Sequence, residues 1–172
     1  MTENPFVVDQ EEWREAGLWK EGSYKFQVLD MRKAERERKD GGTYPVIAAR
    51  LAAVAQAEYD GEGNFSGILE LERKPSRFQD FGISGSSLQM LKTLYKTMTG
   101  RYPEPEFDEE TGRYGIDTLK VAQELVGHSA WNVVYWTDPE KDENGNQYDR
   151  ITYTFTSNPR KKIKVKKQEE ED

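Results

Sequence analysis

The stretch SLQMLKTLYKTMTG, residues 87–100, decides how the rest of the chain is interpreted. Its apolar side chains recur at the spacing of one helix face, and polar side chains occupy the other face. Gly100 and the following Pro103 predict where this helix ends. The candidate N-caps are three serines: Ser84, Ser86 and Ser87. A helix this short needs a surface to pack against, so the flanking segments are the next guide to the fold.

Three strand-like runs precede this helix and two follow it. Alternation of apolar and polar residues between turn signals predicts strands at residues 23–32, 44–55, 67–73, 130–137 and 148–156. The second run is rich in alanine, which favours a helix, but its extended start at Tyr44 and Pro45 favours a strand. In the third run, Leu69 and Leu71 are expected to face inward. Residues 32–42 are predicted to form a mobile, basic hairpin tip.

This order of elements predicts the fold class. Three strands, a helix and two strands make up the OB-fold, a small barrel plugged by one helix. We therefore predict a mainly β protein: a five-stranded OB-fold barrel with an amphipathic helix between strands 3 and 4, plus short helices at residues 10–16 and 118–126. The predicted organisation is an N-terminal arm (1–22), an OB-fold domain (23–157) and a basic, then acidic, C-terminal tail (158–172). The apolar residues of the arm fit either packing on the barrel or a subunit contact.

Composition narrows the classes of function. The chain of 172 residues has no cysteine and one histidine, which excludes disulfides, thiolate metal sites and a histidine cluster. His128 has no paired acid nearby in sequence and no phosphate-binding loop is present, so we predict neither an enzyme nor a cofactor. Oxygen ligands alternate at 60–64 and 142–146 as in calcium loops, but without the closing glutamate, so hairpin turns and no metal are predicted. The absence of a signal peptide or long apolar span predicts a soluble, cytoplasmic protein without membrane contact.

Charge is distributed unevenly along the chain. The net charge is −7, and residues 1–22, 103–112 and 169–172 carry −4, −5 and −4, so the remainder carries +6. An acidic chain can therefore contain a basic region suited to nucleic acid.

Basic residues interleaved with aromatic residues form the main candidate site. Single-stranded nucleic acid is bound by cations along its phosphates and by rings that stack on its bases. The predicted DNA-binding cations are Lys33, Arg36, Arg38, Lys39, Arg73, Lys74, Arg77 and Arg150. The predicted stacking rings are Tyr44, Phe78, Trp136 and Tyr148. The alternative is that the rings fill the core and the charges form a solvated surface.

Four segments carry a family resemblance over about residues 20–156: EGSYKFQVLDMRKAERERKDGGTYPVIAARLAAV, SLQMLKTLYKTMTG, ELVGHSAWNVVYW and ENGNQYDRITYTF. In their order and spacing, these segments resemble the small OB-fold single-stranded-DNA-binding proteins of bacteriophages. At His128 this chain departs from the lysine that the family usually carries. The resemblance implies a non-enzymatic protein that coats single strands during phage DNA replication or recombination, in an infected bacterial cell.

The C-terminal tail fits this resemblance. It ends in four acids, Glu169, Glu170, Glu171 and Asp172, after a basic run at 160–167. Related proteins use an acidic tail to recruit replication or recombination proteins, and we expect this tail also to compete with DNA. Deleting residues 168–172 should then tighten binding at low salt.

Two other functions fit the sequence. A protein-binding OB module, either a replication adaptor or an inhibitor of a host factor, is favoured by the net charge and by the predicted acidic loop at residues 103–112. The second alternative is a structural virion protein. The sequence is also compatible with a homodimer.

Overall fold

The computed structural model describes residues 4–152 and 154–164. Within them the helices are α1 (Gln10–Glu15), α2 (Gly85–Thr99) and α3 (Thr118–Gln123), with a 3-10 helix at Pro139–Lys141. The strands are β1 (Gly22–Glu37), β2 (Thr43–Tyr59), β3 (Phe65–Glu70), β4 (Ser76–Gly82), β5 (Glu106–Asp108), β6 (Arg113–Gly115), β7 (Ser129–Trp136) and β8 (Asp149–Ile151). The acidic end of the predicted tail, Glu169–Glu170–Glu171–Asp172, lies outside the described residues.

Six strands form one antiparallel sheet, which confirms the mainly β class. Their order is β3-β2-β1-β7-β8, and β4 also pairs with β2. Strand β2 is 17 residues long, so residues 55–59 can pair with β3 while residues 46–52 pair with β4. The predicted count of five strands was wrong, because residues taken as the connection to the helix form β4. Helix α2 therefore follows β4 and precedes β7.

The six-stranded sheet is not closed into a barrel within residues 4–152 and 154–164. Two isolated antiparallel bridges, Asn64–Lys162 and Trp131–Thr156, connect the chain after β8 to the start of β3 and to β7. The five-stranded barrel of the sequence prediction is thus not confirmed, whereas its antiparallel sheet is.

The core lies between one face of the sheet and helices α2 and α3. The sheet contributes buried residues from alternate positions of β1 and β2, including Phe26, Met31, Ile47, Ala49 and Leu51. Helix α2 contributes Leu91, Leu94 and Tyr95, and the α3 region contributes Val121, Ala122 and Leu125. We call this face of the sheet the inner face and the opposite one the outer face.

Helix α2 is the predicted amphipathic helix, with a different start. It ends at Gly100, whose φ of +79° suits glycine and whose N–H donates to the Lys96 carbonyl at 2.9 Å. Ser84 occupies the N-cap position, but its side chain makes no capping hydrogen bond. The chain is closely packed at this point, since a Cβ at Gly82 would lie 2.5 Å from Ser87 Cβ. A glycine is therefore needed where β4 passes into α2.

Other predicted boundaries also change. Strand β1 continues to Glu37, so the basic hairpin tip is limited to residues 38–42. The predicted acidic loop contains β5, which pairs with β6. Strand β8 is shorter than predicted because regular pairing with β7 stops at Ile151. Leu69 was expected to face inward but is 49% exposed, because β3 lies at the sheet edge. No helix of the described residues is long and apolar enough to cross a membrane.

Candidate nucleic-acid interface

The pairing register places three arginines on the outer face of the sheet. Arg32 pairs with Ala48, Arg36 with Tyr44, and Arg50 with Asp30 on one side and Phe78 on the other. Successive side chains of a strand point to opposite faces, and the neighbouring positions Met31, Ile47, Ala49 and Leu51 are buried in the core. The arginines therefore point away from the core.

Two aromatic rings accompany these cations. Phe78 on β4 lies directly opposite Arg50 and is 74% exposed. Tyr44 lies opposite Arg36, and the Arg38 guanidinium lies 5.7 Å from the centre of the Tyr44 ring. We call this surface the arginine face, and it consists of Arg32, Arg36, Arg38, Tyr44, Arg50 and Phe78.

Small residues lie between the charged and aromatic side chains of the arginine face. They occupy outer-face positions of β1, β2 and β4, namely Ala34, Ala48, Ala52 and Ser76. Because these side chains project little, the arginines and Phe78 stand above a shallow floor. A flexible polymer can approach such a surface along its length.

Two aspartates share the outer face and pair with arginines. Arg36 Nε donates to Asp80 Oδ2 at 2.8 Å, and Arg36 Nη2 donates to Asp80 Oδ1 at 3.0 Å. These bonds and the carboxylate charge raise the pKa of the Arg36 guanidinium. Arg32 pairs with Asp30 through its Nε alone. By contrast, none of the ion pairs in the described part of the chain involves Arg50.

A partly buried ion pair joins β4 to β8 on the inner side of the sheet. Arg77 pairs with Leu51 and so points inward, where its Nη1 donates to Asp149 Oδ1 at 3.3 Å. The guanidinium also lies 5.5 Å from the centre of the Trp19 ring, and the Trp19 backbone N–H donates to Asp149 Oδ2 at 2.9 Å. Burial lowers the pKa of Arg77, although the Asp149 charge opposes that shift. The Arg77 side chain is thus used in packing and is only 12% exposed.

Four of the predicted cations lie apart from the arginine face. Lys33 pairs with the buried Ile47 and so points to the opposite side of the hairpin from the arginines. Lys39 lies in the hairpin tip, and Arg73 and Lys74 are exposed in the link between β3 and β4.

Two predicted stacking rings lie near the end of the sheet formed by β7 and β8. Trp136 Nε1–H donates to the Trp19 carbonyl at 2.7 Å, so this ring is held in packing with the N-terminal arm. Tyr148 is 40% exposed, and the Arg150 guanidinium lies 5.0 Å from its ring centre. Both residues flank Asp149, whose ion pair with Arg77 connects this segment to β4. Tyr148 and Arg150 are exposed, and this ion pair places them near β4, at a border of the arginine face.

Sequence reasoning did not select Arg32 or Arg50. Arg50 interrupts a run of alanine and aliphatic residues in β2, which was a signal that one strand face is exposed. Its position beside Phe78 depends on β4, which was not predicted. Arg32 was predicted at the junction of the first strand and the mobile tip, whereas β1 continues for five residues beyond it.

A second exposed aromatic pair lies in the hairpin formed by β5 and β6. Phe107 and Tyr114 pair across the strands with ring centres 5.2 Å apart, and they are 54% and 74% exposed. Lys120 Nζ donates to Glu106 Oε1 at 2.8 Å and connects this hairpin to α3. We call residues 106–115 the acidic hairpin, because they contain four acids and one base. It lies on the side of the sheet that carries the helices.

Comparison of the sequence with models of known protein families and with curated proteins finds no significant match. Among residues 4–152 and 154–164, no three His, Asp or Glu side chains are placed together to hold a metal ion.

Proposed function

We propose that this chain is a non-catalytic, OB-fold-type protein that binds single-stranded DNA with little sequence preference. The observation that carries the proposal is the arginine face, where exposed cations and an exposed ring share one sheet surface. The phage setting, with a role in DNA replication or recombination in the infected bacterial cell, rests on the family resemblance alone.

The arginine face matches the chemistry that a single strand requires. Guanidinium groups bind phosphate oxygens, and an exposed ring such as Phe78 stacks on a base whatever its identity. The cations lie along paired strands rather than in a pocket, which favours contacts with a continuous backbone. Because the contacts involve phosphates and base faces, little sequence preference is expected.

The strand arrangement supports the OB-fold part of the proposal. In an OB-fold, the face of strands 2 and 3 and the loops that follow strands 1 and 4 bind the ligand. The arginine face occupies β1, β2 and β4. These strands precede helix α2 in the chain, and β4 leads directly into it. The β1–β2 tip and the loop before Tyr148 lie at its borders. Closure of the barrel by the segment after β8 is part of this proposal.

The first experiment is a binding titration with fluorescein-labelled oligothymidine, followed by fluorescence anisotropy at several salt concentrations. We expect affinity to fall as salt rises, with a slope of about −0.7 per phosphate contact on a logarithmic plot. Intrinsic tryptophan fluorescence is a poor reporter here, because Trp19, Trp131 and Trp136 are buried or partly buried and the exposed Trp13 lies in α1, outside the arginine face. Absence of binding at low salt would contradict the proposal.

The acidic hairpin favours a second candidate function, binding of a partner protein. Its exposed Phe107 and Tyr114 and its acidic residues suit a partner with a basic rim around an apolar groove. The two functions use opposite sides of the sheet. If the wild type fails to bind oligothymidine, protein binding through this hairpin becomes the leading function.

A further inference from the structure

We propose that Asp80 is an internal competitor for Arg36, so that a phosphate of the bound strand must displace the Asp80 carboxylate. This inference rests on the proposed single-strand binding, and it identifies a residue that sets the affinity of the same site.

The geometry of the pair resembles the contact that it would prevent. Arg36 extends from β1 across β2 to Asp80 on β4, where Nε and Nη2 donate to the two carboxylate oxygens at 2.8 and 3.0 Å. Arginine binds phosphate through the same parallel pair of N–H groups. One donor edge of Arg36 is therefore occupied by a carboxylate in the free protein.

The Arg36–Asp80 pair is accessible enough for a phosphate to replace the Asp80 carboxylate. The side chains of Arg36 and Asp80 are 43% and 38% exposed, whereas those of the packed pair Arg77 and Asp149 are 12% and 20% exposed. An exposed ion pair contributes little to stability, because both charges are well solvated when it opens. Within the described residues, Arg36 supplies the only hydrogen bonds to the Asp80 carboxylate. Its displacement therefore leaves no buried group without a partner.

The pairing divides the cations of the arginine face into two kinds. Arg36 and Arg32 are held by Asp80 and Asp30, while Arg50 takes part in no ion pair of the described residues. Arg50 can bind a phosphate at once, whereas Arg36 must first exchange its partner. We expect this exchange to lower the affinity and to speed release of the strand.

A double-mutant cycle tests the competition. Affinity for oligothymidine is measured for the wild type, Asp80→Asn, Arg36→Ala and the double variant. Competition predicts that Asp80→Asn tightens binding about fivefold when Arg36 is present, and by less than about 1.5-fold when Arg36 is absent. Glu109→Gln serves as the matched control for removal of one negative charge elsewhere, and thermal unfolding confirms that each variant is folded.

Two results would overturn the inference. Equal tightening in both backgrounds would show that Asp80 acts only through its charge, and weaker binding by Asp80→Asn would show that it positions Arg36 for the strand. Failure of the proposed function has a different signature, since the wild type would then not bind, or Arg50→Ala would bind as well as the wild type.

Discussion

The arginine face and the acidic hairpin both expose aromatic rings among charged side chains. Phe78 on the arginine face and Tyr114 on the acidic hairpin are each 74% exposed. The surrounding charges have opposite sign, and the supports differ: β4 pairs with seven residues of β2, whereas β5 and β6 pair only with each other. Exposure of a ring alone therefore does not indicate its ligand, which depends on the neighbouring charges and on the rigidity beneath the ring.

The largest expected difference between the two regions is in stability. Replacing Asp149 with alanine leaves the guanidinium of Arg77 buried without its partner and removes the acceptor for the Trp19 N–H. Removing one member of this partly buried pair is expected to cost about 2 kcal/mol in the free energy of unfolding, less than for a fully buried pair. Urea denaturation followed by circular dichroism measures this loss.

The matched control for this substitution is Glu106→Ala, which removes the ion pair of the acidic hairpin with Lys120. Both of its side chains are well exposed, so we expect no measurable change in unfolding. Equal losses for Asp149→Ala and Glu106→Ala would contradict the distinction between a supported face and a peripheral hairpin.

The next effect concerns the two equally exposed rings. Phe78→Ala should weaken oligothymidine binding about tenfold, because stacking on one base contributes about 1–3 kcal/mol. Tyr114→Ala should leave the affinity unchanged, since acidic groups around that ring repel phosphates. Anisotropy titrations of both variants under the same salt conditions make the comparison. A larger loss for Tyr114→Ala would place the strand on the wrong side of the sheet for our proposal.

The smallest expected effect comes from the charges of the acidic hairpin. Neutralising Glu109 and Glu110 together should change oligothymidine affinity by less than about twofold at physiological salt, because charges further apart than about 8 Å are screened. The titration is repeated at low salt, where a modest tightening is expected. Strong tightening at physiological salt would mean that the bound strand passes close to this hairpin.

The parts of the fold that follow a single period could be predicted from the sequence. Helix α2 was visible in the spacing of Leu91, Leu94 and Tyr95 and in its terminal Gly100, and β2 was visible despite its alanines. Strand β4 could not be predicted, because Phe78 and Phe81 are three residues apart and point to opposite faces of the sheet. A short strand of this kind is defined by its partner rather than by its own pattern.

The sequence predicted only part of the candidate site, because several of its contacts depend on strand pairing. Four predicted binding residues, Arg36, Arg38, Tyr44 and Phe78, lie on one surface of the sheet, and their role in binding DNA stays a prediction. The pairing of Arg50 with Phe78 and of Arg36 with Asp80 joins residues 28 and 44 positions apart along the chain. Such contacts depend on register, which local sequence patterns do not determine. Arg77 shows the converse, since its charge suggested a surface role while its neighbours hold it inside.

The shared strand β2 has a consequence for how the molecule opens. It is hydrogen-bonded to β1 along one edge and to β3 and β4 in succession along the other. Neither β1 nor β4 can detach without exposing part of β2. We therefore expect the amide protons of β1, β2 and β4 to exchange with solvent slowly and together, as one cooperative unit. The acidic hairpin, which lies outside this sheet, should exchange earlier through local opening. The arginine face would then stay folded during the local fluctuations that open the acidic hairpin.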